Sequence, residues 1–310
     1  MIAPSKPARS DWLWAIAGLA VLAVLLLYPF EGQNTRIAGA VEDAGHAPLF
    51  VLVAWSALRW RRRGRAGSPL TNSDILGALV IALVLAVLTE ALQSVTGRDA
   101  DWNDLMNDAS GAMAGLCVSV ALRGLRPRRQ RILLWLAAAA LATFSTWPLV
   151  WSLLAYQHRA AAAPVLLDLN SNRSRYFLQR NAARIDGLAS DSWLISPTGG
   201  DWPGLGVIEV LPDWRDYRTL VIDVSNPGNT ALQLLVRIDD NGQSDNYGDR
   251  FNSRFVVAPG ARFQWRTPVA ALRTSSNKRA IELGRIRRIY LFQRGNGAMP
   301  FVLHALTLER

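Results

Sequence analysis

The chain has 310 residues, half of them hydrophobic, a formal net charge of +10 and one cysteine, Cys117. A single thiol excludes an intrachain disulfide framework, and basic clusters without any recognition motif argue against a nucleic-acid partner. The halves differ: up to Tyr156 long apolar runs alternate with arginine clusters, whereas from Ala160 onward polar, Gly and Pro residues punctuate short alternating segments, which predicts a membrane half and an extramembrane half.

Five runs, 12–29, 44–60, 73–95, 105–122 and 132–154, approach the roughly 20 residues that a helix needs to cross a hydrocarbon core. The first follows Lys6 and Arg9 and has no small-x-small cleavage site after Tyr28, so it reads as an uncleaved span. Lys and Arg gather in the N-terminal tail, after the second run (Arg59, Arg61, Arg62, Arg63, Arg65) and after the fourth (Arg123, Arg126, Arg128, Arg129, Arg131). The opposite connections hold only Arg36 and Arg98. The positive-inside rule then predicts a multi-pass inner (plasma) membrane protein with a cytoplasmic N-terminus and everything after Tyr156 extracytoplasmic. Trp12, Trp14, Trp55, Trp60, Trp135, Trp147 and Trp151 border the runs, as an interfacial aromatic belt requires.

This topology brings polar residues to one depth. Asp43 and His46 open the second run, Glu90 and Gln93 close the third, Arg98 lies in the connection, and Asp104 and Asn107 open the fourth. Residues three apart share a helix face, so each pair presents one polar face, and three helices can turn these faces together. Ionisable groups at such depth are expensive in hydrocarbon and by default mark function. Gly111 and Gly115 form a GxxxG that permits close backbone approach.

An Asp and a His opening a span, then E-x-x-Q, a nearby Arg and D-x-x-N-x-x-x-G leading into the next span resemble the VanZ-like family of small membrane proteins, over about residues 38–122. The resemblance carries the family's polar positions onto Asp43, His46, Glu90, Gln93, Arg98, Asp104, Asn107 and Gly111. A Lys is expected near the first Asp, whereas here Ala44 follows Asp43. The resemblance implies an envelope role, linked in the family's founding association to resistance to glycopeptide antibiotics acting on the cell wall, with no settled chemistry.

The cluster admits four readings, one of them a divalent cation held by the His46 imidazole with the carboxylates of Asp43, Glu90 and Asp104. Glu90, Arg98 and Asp104 can form an ion-pair network that ties helices together. The preferred reading is a pocket open to the outer leaflet, lined by Asp43, His46, Glu90, Gln93, Arg98, Asp104 and Asn107. It would bind the polar or phosphorylated head of a membrane lipid or lipid-linked cell-wall precursor, with the Arg98 guanidinium on the anion. The alternative is a membrane enzyme that hydrolyses or transfers a lipid-linked phosphate or glycan, with His46 and Glu90 as acid or base. Neither tight metal-ligand spacing nor a phosphate-cradling glycine loop occurs, so the sequence assigns no metal and no cofactor, and it leaves catalysis and oligomeric state open.

Residues 157–164 read as an Ala-rich linker and 165–310 as one further domain. Period-two segments at 205–210, 219–224, 232–238, 250–257 and 286–292, with turn signals at Asn226-Pro227-Gly228-Asn229, Asp240-Asn241-Gly242 and Pro259-Gly260, predict an antiparallel sandwich. The run WPGLGVIEVLPDWRDYRTLVIDVSNPG, followed by LLVRIDD and DRFNSRFVVAPG, resembles the galactose-binding-type jelly rolls used as carbohydrate-binding modules. That resemblance implies a possible glycan partner, with Trp202, Trp214 and Tyr247 as leading contacts and Tyr217 and Trp265 as further aromatics. Asp239, Asp240, Asp245 and Asp249 offer a structural calcium site or a solvated turn. The predicted fold is therefore multi-domain: a VanZ-like α-helical transmembrane bundle of five spans over residues 1–156, then an all-β antiparallel sandwich, a jelly roll.

Overall fold

The structure, a computed structural model, describes residues 35–63, 65, 68–95, 101–123, 126–189, 191–240, 248–275, 278–295 and 297–310. It divides into two compact units, Met1–Ser152 and Leu153–Arg310. Among the described residues four helices are long and apolar enough to cross a membrane: α1 (Arg36–Arg61), α2 (Asn72–Val95), α3 (Trp102–Leu122) and α4 (Arg128–Ala162). Five spans were expected; the one at 12–29 lies outside the described residues.

Helix α1 begins eight residues before the apolar run that predicted it. Thr35 caps it, its hydroxyl accepting from the Ala38 N–H at 3.3 Å, and the glycines and acids at 39–45 lower the hydropathy without stopping the helix. Thr71 and Asp74 cap α2 reciprocally: the Asp74 N–H donates to Thr71 Oγ1, and the Thr71 N–H donates to Asp74 Oδ2, each at 3.2 Å. Asp101 caps α3 by accepting from the Asn103 N–H at 2.9 Å. Helix α4 runs through Ala162, so residues 157–162, expected as linker, are its last turns. Ala-rich sequence favours helix, and Pro164 disfavours its continuation.

The contacts between α1 and α3 advance by four residues on both helices, so the two run parallel. Asn107 Nδ2 donates to the Asp43 carbonyl at 3.2 Å. A Cβ on Gly111 would collide with the Ala47 carbonyl, and one on Gly115 would stand 2.8 Å from that of Val51. The GxxxG is what lets the two backbones approach. Helix α2 runs antiparallel to them: Asp74 near its start meets Arg65 at 2.7 Å just beyond α1, while Glu90 near its end reaches the Asp101 N–H at 3.2 Å ahead of α3.

Polarity in this unit is inverted relative to a water-soluble bundle. On α2, Leu76, Val80, Val84, Val87, Leu88 and Leu92 face outward, while Ala78, Ala82 and Ala86 are fully buried in line with buried Glu90 and Gln93. Large apolar side chains outside with small and polar ones inside is the arrangement that lipid selects, because lipid gives helices no hydrophobic reason to bury leucine.

The second unit holds two five-stranded antiparallel sheets. The first has the order β1 (Leu178–Asn181), β4 (Gly204–Ile208), β9 (Ile286–Phe292), β6 (Leu232–Asp240), β7 (Phe251–Val257). The second has the order β2 (Ala183–Ala189), β3 (Ser192–Pro197), β10 (Phe301–Glu309), β5 (Thr219–Ser225), β8 (Arg262–Pro268). This is the expected all-β jelly-roll sandwich. Period two explains it: on β6 Leu232, Leu234, Val236 and Ile238 are buried, with Gln233, Leu235 and Arg237 alternating on the other face. Strands β1, β2, β3, β8 and β10 were not foreseen. Four-residue β1 is too short to show a period, and the edge strand β8, RFQWRTP, is mostly exposed. The last turns of α4 pack in the same unit, where Tyr156 meets the Phe177 ring edge-on at 5.1 Å and Arg159 lies 4.5 Å over Tyr156.

Candidate functional site

One end of the helical unit gathers acids around a histidine. His46, on the inner face of α1, is buried, and its Nδ1 lies 2.9 Å from Oδ1 of the fully buried Asp108 on α3. A carboxylate accepts, so Nδ1 carries the proton, and in the neutral form of the ring Nε2 presents its lone pair on the opposite edge. That nitrogen lies 3.8 Å from Asp104 Oδ2, and donor atoms of His46, Glu90 and Asp104 all fall within 4.8 Å of one another. Glu90 is buried; one carboxylate oxygen accepts the Asp101 N–H, and the other, Oε1, has no hydrogen-bond partner among the described residues. Asp108 Oδ2 is in the same condition. Half-buried Asp43 lies near Asp104 at the same end.

Burial is graded. Asp43 and Asp104 are half-buried at the mouth, His46 and Glu90 lie within, and Asp108 is at the bottom. About 22 Å of helix separates His46 from Arg61, and about 27 Å separates Glu90 from Asn72, so the group sits roughly one hydrocarbon thickness from the arginine-rich end.

Of the seven residues expected to line this site, Asp43, His46, Glu90 and Asp104 converge as side chains. Asn107 is buried and bonds the α1 backbone, Gln93 is buried on the inner face of α2, and Arg98 lies outside the described residues. Asp108 was missed. The signal was present, since it follows Asp104 by four positions and so shares its helix face, but the D-x-x-N pattern drew attention to Asn107 instead.

In the sandwich the expected glycan contacts separate. Trp214 is fully buried, its indole N–H donating to the Leu211 carbonyl at 2.6 Å; it is a core residue and no platform. Tyr247 lies outside the described residues. Trp202 is 47% exposed and meets Phe292 edge-on at 5.8 Å. Trp265 stacks on Phe255 at 5.8 Å, and Tyr217 packs against the core. The calcium expectation is also corrected: Asp239 and Asp240 are buried in bonds to Arg237 and Arg279 at 2.7 Å, and Asp249 also faces Arg279. Asp245 lies outside the described residues.

Beside Trp202 and Phe292 runs a row that the sequence did not reveal. Gln179, Gly206, Tyr290 and Arg237 are directly opposite one another across β1, β4, β9 and β6, so they share the outer face of the first sheet. The Tyr290 ring lies where a side chain on Gly206 would stand. Its hydroxyl donates to Gln179 Oε1 at 2.9 Å, and the Arg237 guanidinium covers the ring at 4.9 Å.

No family model and no curated protein matches the chain. Among solved structures, a family 11 carbohydrate-binding module from Clostridium thermocellum, in complex with a mixed-linked tetrasaccharide, is 17% identical with a TM-score of 0.34, covering 43% of this chain and 83% of its own. A solution structure of a module of the same family is 14% identical with a TM-score of 0.34, covering 48% and 97%. An agarase is 14% identical with a TM-score of 0.39, covering 47% of this chain and 26% of its own, so this chain spans about a quarter of that enzyme's length. Likenesses this weak carry no argument about what the protein binds; the chain is similar to these modules over its sandwich region.

Proposed function

We propose that this is an envelope membrane protein whose helical unit binds the polar head of a membrane lipid or lipid-linked precursor at the end carrying His46, Glu90 and Asp104. The observation that supports it is the convergence of these groups with Asp43 and Asp108, with the buried oxygens Glu90 Oε1 and Asp108 Oδ2 lacking partners among the described residues. A purely structural network would satisfy its members, because a half-satisfied buried polar network is worse than an apolar one. The arginines at the opposite end support an outer-leaflet position for the site under the positive-inside rule.

In the same reading the sandwich is extracytoplasmic and holds glycan on the outer face of its first sheet. Trp202 and Phe292 offer apolar surface to a sugar ring, and Gln179, Arg237 and Asn181 offer hydroxyl partners. The His46–Asp108 hydrogen bond favours a second reading, an enzyme acting on the bound head group, because a carboxylate-held imidazole is built to take a proton at Nε2. Native mass spectrometry of the full-length protein in nanodiscs tests the first reading. A lipid species retained by the wild type and lost from His46→Ala, with the fold intact, supports it; identical lipid profiles overturn it. Turnover of that lipid by the wild type, lost in His46→Ala, would establish the second.

A further inference from the structure

We infer that His46, Glu90 and Asp104 form a binding site for a divalent transition-metal cation of the zinc or cobalt class, with Asp108 as the positioning residue for His46. In the neutral imidazole, with Nδ1–H on Asp108, His46 Nε2 is a lone-pair donor that faces the carboxylates of Glu90 and Asp104. Metal-ligating histidines characteristically give their other ring N–H to a carboxylate, which fixes the ring and makes it a better donor. Donors around a tetrahedral cation at bond lengths of about 2.1 Å stand about 3.4 Å apart. His46 Nε2 and Asp104 Oδ2 are 3.8 Å apart and all three donors lie within 4.8 Å, so closure takes a few tenths of an ångström for that pair and at most about 1.4 Å for any pair.

Glu90 supplies the second, independent observation. It is 92% buried, one oxygen is held by the Asp101 N–H, and the orphaned Oε1 belongs to a carboxylate that reaches the same point as His46 and Asp104. A cation there would satisfy it. One imidazole with two carboxylates suits zinc-class ions better than calcium or magnesium, which prefer all-oxygen shells. Half-buried Asp104 at the mouth leaves the remaining coordination positions to water or to an oxygen of a ligand.

The inference does not rest on the lipid reading: a metal retained by protein that carries no specific lipid would sink that reading and leave this one standing. The test uses full-length protein in nanodiscs, stripped with chelator and titrated with Zn²⁺ and, separately, Co²⁺. One equivalent per chain is expected, with a visible d–d absorption band for Co²⁺. His46→Ala and Glu90→Gln should weaken binding at least 100-fold, and Asp108→Asn should weaken it about 10- to 100-fold with a shifted Co²⁺ band. Asp213→Asn, on the sandwich surface, should change nothing. Equal binding by wild type and Glu90→Gln, or a wild type with no saturable equivalent and no Co²⁺ band, overturns the inference. The wild-type result decides the matter even if a variant fails to fold.

Discussion

The two units bury carboxylates in opposite ways. In the sandwich each buried acid has its own guanidinium: Asp223 is held by Arg262 and Gln264, Asp239 by Arg237, and Asp240 by Arg279. The helical unit does the same at its arginine-rich end, where Arg65 meets buried Asp74. At its other end, Asp108 is held by a histidine, Glu90 by a single backbone N–H, and neither meets a guanidinium among the described residues. The paired acids are explained by the fold alone. The converging acids are not, and that difference is the reason for assigning function to the second group.

The comparison can be broken most severely through the helix contact that creates the site. Gly111→Val should separate α1 from α3 and destabilise the helical unit by about 3 kcal/mol or more, because the colliding atom is the Ala47 carbonyl in a backbone that cannot rotate away. Thermal unfolding in detergent measures it, and Gly115→Ala should cost less, about 1–3 kcal/mol.

In the sandwich, Arg279→Ala strands Asp240 without its charge partner. A loss of about 2–3 kcal/mol is expected, below the full range for buried pairs because a third of the arginine side chain is exposed. An unchanged unfolding midpoint would mean that these pairs do not hold the sandwich together.

Acid should act on the same pairs. Burial pushes the Asp223 carboxyl up, but hydrogen bonds from Arg262 and Gln264 outweigh this and hold it below its ordinary 3.8. Hydrogen bonds from Arg215 hold Asp213 at about 2. His304 is pushed below its ordinary 6.5 by burial and by the Arg262 charge. In all three cases the unfolded chain binds protons more readily, so stability falls with pH, first gently below about 6.5 through His304 and then steeply from about 4 towards 2. Unfolding midpoints measured from pH 7 to pH 2 check the sign. The smallest effect on stability is expected from Trp202→Ala, within about 0.5 kcal/mol, with glycan retention in affinity electrophoresis lost.

Much of the architecture was legible because lipid and β-sheet impose simple periods. The apolar runs, the arginine asymmetry and the alternation of β6 pointed to four described helices and to the central strands. What escaped notice was set by partners distant in sequence. Trp214 reads as a platform until the sheets close over it, and nothing local to Tyr290 shows that Gly206 leaves room for its ring across the outer face. Asp108 looked like one polar residue among several in NDAS, and only the parallel register of α1 and α3 sets it under His46. The N-terminal extension of α1 depended on one threonine hydroxyl, which hydropathy does not register.

Glu90→Gln provides the most direct test, because the amide keeps the oxygen that accepts the Asp101 N–H and removes only the charge and the orphaned acceptor. Unfolding of the full-length variant, metal-free and beside wild type at pH 7, should show a midpoint equal to or above that of wild type, as expected for a site kept for binding at the expense of stability. A midpoint lowered as far as that of Arg279→Ala would mean that these acids hold the helices together, and would contradict the account.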